Sequence, residues 1–204
     1  MKTFLAFDTE TNGLPLFKEP SEDPRQPHIV QLGAVLVDLD TRKEIASLDV
    51  IVKPEGWAIP DDVAAIHGIT TEHAQAVGIP ESLAVEMLLE LHRQADFLLA
   101  HNASFDQRIV RIACKRFFDD VTVEEWKAAR AECTQLMSTP ILKLPPTAKM
   151  RAAGRFHHKS ANLGEAYEFF TGKPLENAHS AIADVRGCIE VYFGAQEHRQ
   201  PVAA

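Results

Sequence analysis

Cysteine is scarce in this chain: Cys114, Cys133 and Cys188 are the only three among 204 residues. An odd number with no CxxC spacing excludes a disulfide framework and a zinc knuckle, and leaves three reduced thiols. Long apolar runs are missing as well. No segment approaches the roughly 18 apolar residues of a membrane span, and the N-terminus lacks the ordered charged, apolar and small-residue regions of a secretory signal. A cytoplasmic location without a membrane partner is therefore expected. Internal repeats and low-complexity tracts are absent too. What remains is an ordinary folded composition, 46% hydrophobic and 25% charged, of a length that suits one α/β core rather than two. One domain over residues 1–198 and a loose tail over 199–204 are expected.

Basic charge is in deficit, with 21 Lys and Arg against 29 Asp and Glu and a net charge of −8. That balance argues against a protein that binds phosphate polymers over its whole surface. The deficit is uneven, however. From Cys133 to Gly164 there is no acidic residue, whereas Lys143, Lys149, Arg151, Arg155 and Lys159 all fall in this stretch. Such a strip fits a charged polymer lying on one face, and equally a solvated loop.

Hydrophobic patterning predicts the elements. Phe4 to Phe7 is an unbroken apolar run that reads as a strand buried on both faces, and Ile29–Val37 and Ile45–Val52 follow it as an antiparallel meander. After Pro80, Leu83, Met87, Leu88 and Leu91 recur at helical spacing. A short strand, Phe97–Ala100, then leads to Asn102, an N-cap candidate for a helix over Ala103–Phe117. Another helix over Val121–Arg130 and a strand near Glu132–Thr134 come next. Residues 139–159, with three prolines and Gly154, read as an irregular basic excursion. Helices over Ser160–Thr171 and Ser180–Gln196 close the chain, the second with Ile182, Val185, Ile189, Tyr192 and Phe193 on one stripe. Strands first and then strands alternating with helices predict a mixed sheet flanked by helices.

The chemistry begins where the first strand ends. Asp8 and Glu10 are two apart, so on a strand they share a face. Two carboxylates 4 Å apart repel by roughly 4 kcal/mol even at an effective dielectric of about 20, and a divalent cation bound through oxygen is the natural partner. Asp106 falls in the first turn after Asn102, and Asp184 in the first turns of the last helix. Alone, each is an ordinary acid near a helix N-terminus. His179 and Asp184 would point about 140° apart on a helix, so His179 is expected in the preceding loop, leaning over the carboxylates. His157-His158 lacks further ligands at a spacing that would make a zinc site.

Three blocks, Phe7-Asp8-Thr9-Glu10-Thr11-Asn12-Gly13-Leu14, His101-Asn102-Ala103-Ser104-Phe105-Asp106 and His179-x-x-x-x-Asp184, resemble the exonuclease motifs of the DEDDh 3′-to-5′ exonucleases. These form the DnaQ-like branch of the ribonuclease H-like superfamily. The blocks fall in family order across nearly the whole chain. His67-Gly68-Ile69-Thr70 resembles a block common in the proofreading subunits of bacterial replicative polymerases. The resemblance implies a mixed five-stranded α/β sheet whose first three strands are antiparallel. It implies two Mg²⁺ or Mn²⁺ ions, with Asp8, Glu10 and Asp184 holding one and Asp8 and Asp106 reaching the second. It makes His179 the general base, and puts Thr11, Leu14, His67, Asn102 and Phe105 beside the terminal nucleotide. The implied activity is hydrolysis of single-stranded or frayed DNA from a free 3′ end to nucleoside 5′-monophosphates.

An RNA-trimming or oligoribonucleotide-degrading member of the same family stays open. So does a subunit that serves a DNA polymerase mainly as a binding surface. With only eight residues after Gln196, a C-terminal polymerase-docking tail is not expected, which favours a stand-alone nuclease or a different docking mode.

Overall fold

The apolar run Phe4-Leu5-Ala6-Phe7 is almost wholly shielded from solvent because β1 (Thr3–Thr11) is the middle strand of five. A computed structural model describes residues 1–199. The expected tail beyond Arg199 lies outside the described residues. β2 (Ile29–Asp38) pairs antiparallel with β1, and β3 (Glu44–Ile51) antiparallel with β2. On the other side, β4 (Phe97–Ala100) and β5 (Ala131–Cys133) run parallel, giving the order β3-β2-β1-β4-β5. The predicted mixed sheet is therefore present.

Strand alternation sends successive β1 residues to opposite layers. Leu5 and Phe7 meet α3 (Glu81–His92), α4 (Ala103–Phe117) and α5 (Asp120–Ala128), through Leu88, Ile109 and Trp126 among others. Phe4 and Ala6 meet α9 (Ala181–Arg199), through Val185, Ile189 and Tyr192. Each fully buried Leu or Phe contributes about 1.5–3 kcal/mol, so β1 is firmly fixed between two apolar layers. The face that holds Phe4 and Ala6 continues to Asp8 and Glu10.

Three expectations need correction, and one stretch that the patterning left unread holds structure. The stretch before α3 holds two short helices, α1 (Asp61–His67) and α2 (Thr71–Val77), stopped by Gly68 in the left-handed region and by Gly78. Neither has the sustained apolar periodicity of a longer helix, and their small cluster with Val30, Ile59, Ile69 and Ala74 is a tertiary product. In α3 the buried residues are Ala84, Val85, Leu88 and Leu89, while Leu83 and Met87 are exposed. Asn102 precedes α4 but makes no side-chain cap bond, because its backbone is left-handed at φ 62°. Residues 139–159 are not irregular throughout, since α6 (Thr134–Leu142) accommodates Pro140 in its last turns and α7 (Ala148–Ala152) follows a Thr147 cap. The last long pair of helices matches expectation closely. α8 (Leu163–Thr171) opens on an Asn162–Glu165 capping box and packs against α9.

Among the described residues no helix is long and apolar enough to cross a membrane. All three cysteines are unpaired, and burial raises the Cys114 thiol to about 12.

Candidate active site

Cross-strand pairing explains how one end of the sheet gathers its acids. Asp8 lies opposite Gly33 and Glu10 opposite Gln31 in the β1–β2 register, and directly opposed residues share a face. Gly33 has no side chain there because the first turn of α9 occupies the space. A Cβ on Gly33 would lie 2.6 Å from the Ala181 carbonyl carbon and 2.7 Å from the Ile182 nitrogen. Gln31 then ties the helix down. Its Oε1 accepts from the Ala181 amide at 3.1 Å and its Nε2 donates to Asp49 at 2.8 Å. Seated on Gly33 and Gln31, α9 brings Asp184 to Asp8 and Glu10.

Asp106 arrives from the other layer. β4 pairs with β1 only as far as Ala6, and beyond that point the Thr9 amide is taken by Asp106. The Asp106 Oδ1 accepts from Thr9 N at 3.1 Å and from Thr9 Oγ1 at 2.8 Å. Both bonds are buried, so they aim the carboxylate. Gly33, Gln31 and Thr9 were missed as site residues in the sequence. Thr9 could have been suspected from its place between the two acids, whereas Gln31 and Gly33 carry no signal until the register is known.

The four acids press on one another. Burial, then Asp106, Asp184 and Glu10, hold the Asp8 carboxyl well above the usual range. Burial first and then Asp184 and Asp106 raise Glu10 to about 7. Asp106 also rises to about 7, chiefly through burial and against the two Thr9 bonds. Burial raises Asp184, opposed by the His179 amide and the His179 charge. Asp184 Oδ2 accepts from that amide at 3.2 Å, but its buried Oδ1 has no partner. An orphaned acceptor amid other carboxylates calls for a cation.

His179 sits just before α9, exposed, with its backbone left-handed at φ 68°. A ring nitrogen of His179 and carboxylate oxygens of Glu10 and Asp184 all lie within 4.8 Å of one another. Nearby, His67 ends α1 with Nδ1 accepting from the Ile69 amide at 3.1 Å, while its buried Nε2 is unpartnered. Burial and the His179 charge depress its pKa.

The remaining expected contacts divide. Leu14 is 75% exposed and free to touch a base. Phe105 is half-buried against the α3–α4–α5 core, and the buried Thr11 hydroxyl donates to the Gly13 carbonyl at 2.8 Å. Asn102 stands exposed beside Ser104 at the C-terminal end of β4. Its neighbour His101 bonds Thr134 Oγ1 at 2.9 Å and the Ala161 carbonyl at 3.1 Å, fixing the strand end that bears the second motif.

The close approach at Gly33 makes a prediction. Gly33→Ala should lose roughly 1–3 kcal/mol of stability through overpacking and displace the start of α9. Catalytic activity should then fall more than melting temperature alone explains, as measured by thermal denaturation beside nuclease assays at a temperature where the variant is fully folded. Unaltered activity would show that Asp184 and His179 do not depend on this contact.

Helices on both faces of a five-stranded mixed sheet, with four acids gathered at one sheet end, define a ribonuclease H-like fold. A model of the RNase_T exonuclease family matches residues 5–192. The chain belongs to that exonuclease family, in its DEDDh, DnaQ-like branch. A DNA polymerase III subunit epsilon-like protein of Rhodobacter capsulatus is 35% identical over 109 residues, which span 53% of this chain and 14% of that protein. E. coli exonuclease I in complex with a dT13 oligonucleotide superposes with a TM-score of 0.74 at 22% identity, covering 98% of this chain and 42% of that one. The zinc-bound form of the E. coli exonuclease I–ssDNA complex superposes at 0.71 and 22% identity over the same shares, 98% and 42%. The chain thus spans less than half the length of those exonuclease I chains.

Proposed function

We propose that this chain is a metal-dependent 3′-to-5′ exonuclease that hydrolyses single-stranded or frayed DNA to nucleoside 5′-monophosphates. The observation that carries the reading is the convergence of Asp8, Glu10, Asp106 and Asp184, with one buried Asp184 oxygen unpartnered. An all-oxygen set of this charge fits hard divalent cations such as Mg²⁺ or Mn²⁺. Asp8, Glu10 and Asp184 would hold one ion and Asp8 with Asp106 a second. When bound, such ions polarise the scissile phosphate and lower the pKa of an attacking water.

The chain's own residues do the rest. His179, exposed just before α9, accepts the proton of the water as the new P–O bond forms and the bond to the 3′ oxygen breaks, that oxygen staying on the shortened strand and taking a proton from solvent. Thr9 holds Asp106 in place, and Gln31 and Gly33 hold α9. Leu14 abuts the terminal base, a contact tolerant of sequence. His67, Asn102, Phe105 and Thr11 shape the pocket around the terminal nucleotide, Phe105 and Thr11 from behind through the core and the turn. The oligodeoxynucleotide on exonuclease I and the polymerase-subunit name of the R. capsulatus relative support DNA as substrate. They also make a DNA polymerase a reasonable partner to seek.

The test is degradation of 5′-labelled single-stranded DNA and RNA of matched sequence with Mg²⁺ or Mn²⁺ and with EDTA. A metal-dependent ladder shortening from the 3′ end of DNA, faster than of RNA, is expected. A faster RNA ladder would transfer the proposal to oligoribonucleotides, and no ladder on either would end it.

Metal and pH should act jointly on stability. Glu10 and Asp106 have folded-state pKa values near 7, above their ordinary ones. Their contribution is fully present below the ordinary carboxylate range and is lost as pH rises through about 7. Metal-free protein should therefore melt at lower temperature at pH 8 than at pH 5.5. A divalent ion at about 100 times its Kd adds roughly 2.7 kcal/mol, or about 5–10 °C in a chain of this size, and more at pH 8 than at pH 5.5. Melting curves with EDTA and with Mn²⁺ at both pH values check this, with Glu10→Gln flattening the metal-free dependence. An equal metal effect at both pH values would contradict it.

A further inference from the structure

The basic stretch noted in the sequence is not used by the carboxylate centre, yet the fold anchors it there. Its base is a neck in which the Lys159 amide donates to the Leu144 carbonyl at 3.1 Å. Just beyond, the fully buried Ala161 donates to Thr139 Oγ1 at 3.4 Å and accepts from His101 Nε2 at 3.1 Å. His101 ends β4, which runs parallel to β1, so the neck lies at the sheet end that carries Asp8 and Glu10. Residues 145–158 project from this neck.

Nothing apolar explains the projection. None of its residues joins the hydrophobic clusters, and residues 151–158 are all exposed. Its order comes from local bonds instead: the Thr147 cap on Met150, the Arg155 amide on the Met150 carbonyl, and Arg151 on the Pro146 carbonyl. Phe156 is 74% exposed. Among the described residues, Lys143, Lys149, Arg151 and Arg155 pair with no carboxylate, whereas Lys159 pairs with Glu165. Residues 133–164 carry +5, which leaves −13 on the rest of the chain (−8 − 5). A polyanion thus meets net positive charge along this stretch and net negative charge over the remainder of the chain.

We infer that residues 145–158 form a binding arm for single-stranded DNA, holding phosphates upstream of the 3′ terminus with Lys149, Arg151 and Arg155 and stacking a base on Phe156. This rests on the exonuclease reading above, to which it adds a footprint longer than the terminal nucleotide. Free cations track a phosphate backbone, and an exposed aromatic ring takes any base. The arm thereby supplies affinity that the four carboxylates, which repel phosphate until metal is bound, cannot.

The experiment compares the wild-type chain with the triple variant Lys149→Gln, Arg151→Gln, Arg155→Gln and with Phe156→Ala. Substrates are a thymidylate 20-mer and the p-nitrophenyl ester of thymidine 5′-monophosphate, which reaches the carboxylate centre but not the arm. The triple variant should raise KM for the 20-mer at least tenfold. It should also lessen the slope of log(kcat/KM) against log salt by about 2, since three single-strand contacts are lost. Phe156→Ala should raise the same KM roughly tenfold. Turnover of the ester should be unchanged in both. An unaltered KM and salt slope on the 20-mer would overturn the arm. If the triple variant lost ester and 20-mer activity alike, its fold would be in question, and the KM of Phe156→Ala would decide. If the wild type cleaved neither substrate, the exonuclease reading would fail by itself. Fluorescence anisotropy of labelled 20-mer in EDTA would still test the arm, with weaker binding by the variants supporting it and equal binding refuting it.

Discussion

Asp8→Asn should lower kcat/KM on single-stranded DNA by on the order of 10³ or more. Asp8 is the carboxylate on which the other three all act, its acid form favoured by burial and by Asp106, Asp184 and Glu10 together. It is accordingly the residue placed to serve both proposed ions. An amide of the same shape removes the shared charge and leaves the packing of β1 intact. Metal ions are worth several kcal/mol of transition-state stabilisation, and about 4 kcal/mol corresponds to roughly a thousandfold in rate. The same substitution should raise the melting temperature in EDTA at pH 8, because a mutually repelling carboxylate is gone. Activity and stability moving in opposite directions distinguishes a metal site from a structural acid. Nuclease rates within tenfold of wild type, or a metal-free variant less stable than its parent, would remove Asp8 from the proposed role.

His179→Asn should slow turnover by about 10²–10⁴, the usual worth of a general base. Asparagine also tolerates the left-handed backbone that His179 adopts at φ 68°, so this variant isolates the ring from the loop. KM and the melting shift induced by Mn²⁺ should persist, and the acidic limb of the kcat profile should change. The geometry makes the metal measurement decisive. With its nitrogen within 4.8 Å of Glu10 and Asp184 oxygens, His179 has the position of a ligand as well as of a base. Loss of the Mn²⁺ shift in His179→Asn would assign it to coordination instead.

Much of this was legible along the chain. The apolar run before Asp8, the period-two spacing of Asp8 and Glu10, and the ordered motif blocks predicted both the mixed sheet and the acids. Such features are local: a buried central strand needs consecutive apolar residues, and a strand presents alternate residues on one face whatever surrounds it. The helix carrying Asp184 was readable from its apolar stripe for the same reason. Less was legible where local preference is weak. α1 and α2 are too short for periodicity, the basic stretch hides α7 behind its prolines, and Asn102 is a cap residue by type whose left-handed backbone points its side chain elsewhere.

By itself, then, the sequence determined the strand alternation, the two acids of β1, and the identities of Asp106, His179 and Asp184 as partners in one motif set. Only the tertiary structure decided that they meet. The β1–β2 register sets Gly33 against Asp8 and Gln31 against Glu10, α9 fills the space that the missing Gly33 side chain leaves, and Thr9 reaches across β1 to Asp106. Residues up to 150 positions apart make these contacts, and no spacing along a chain encodes a distance that pairing and packing alone set.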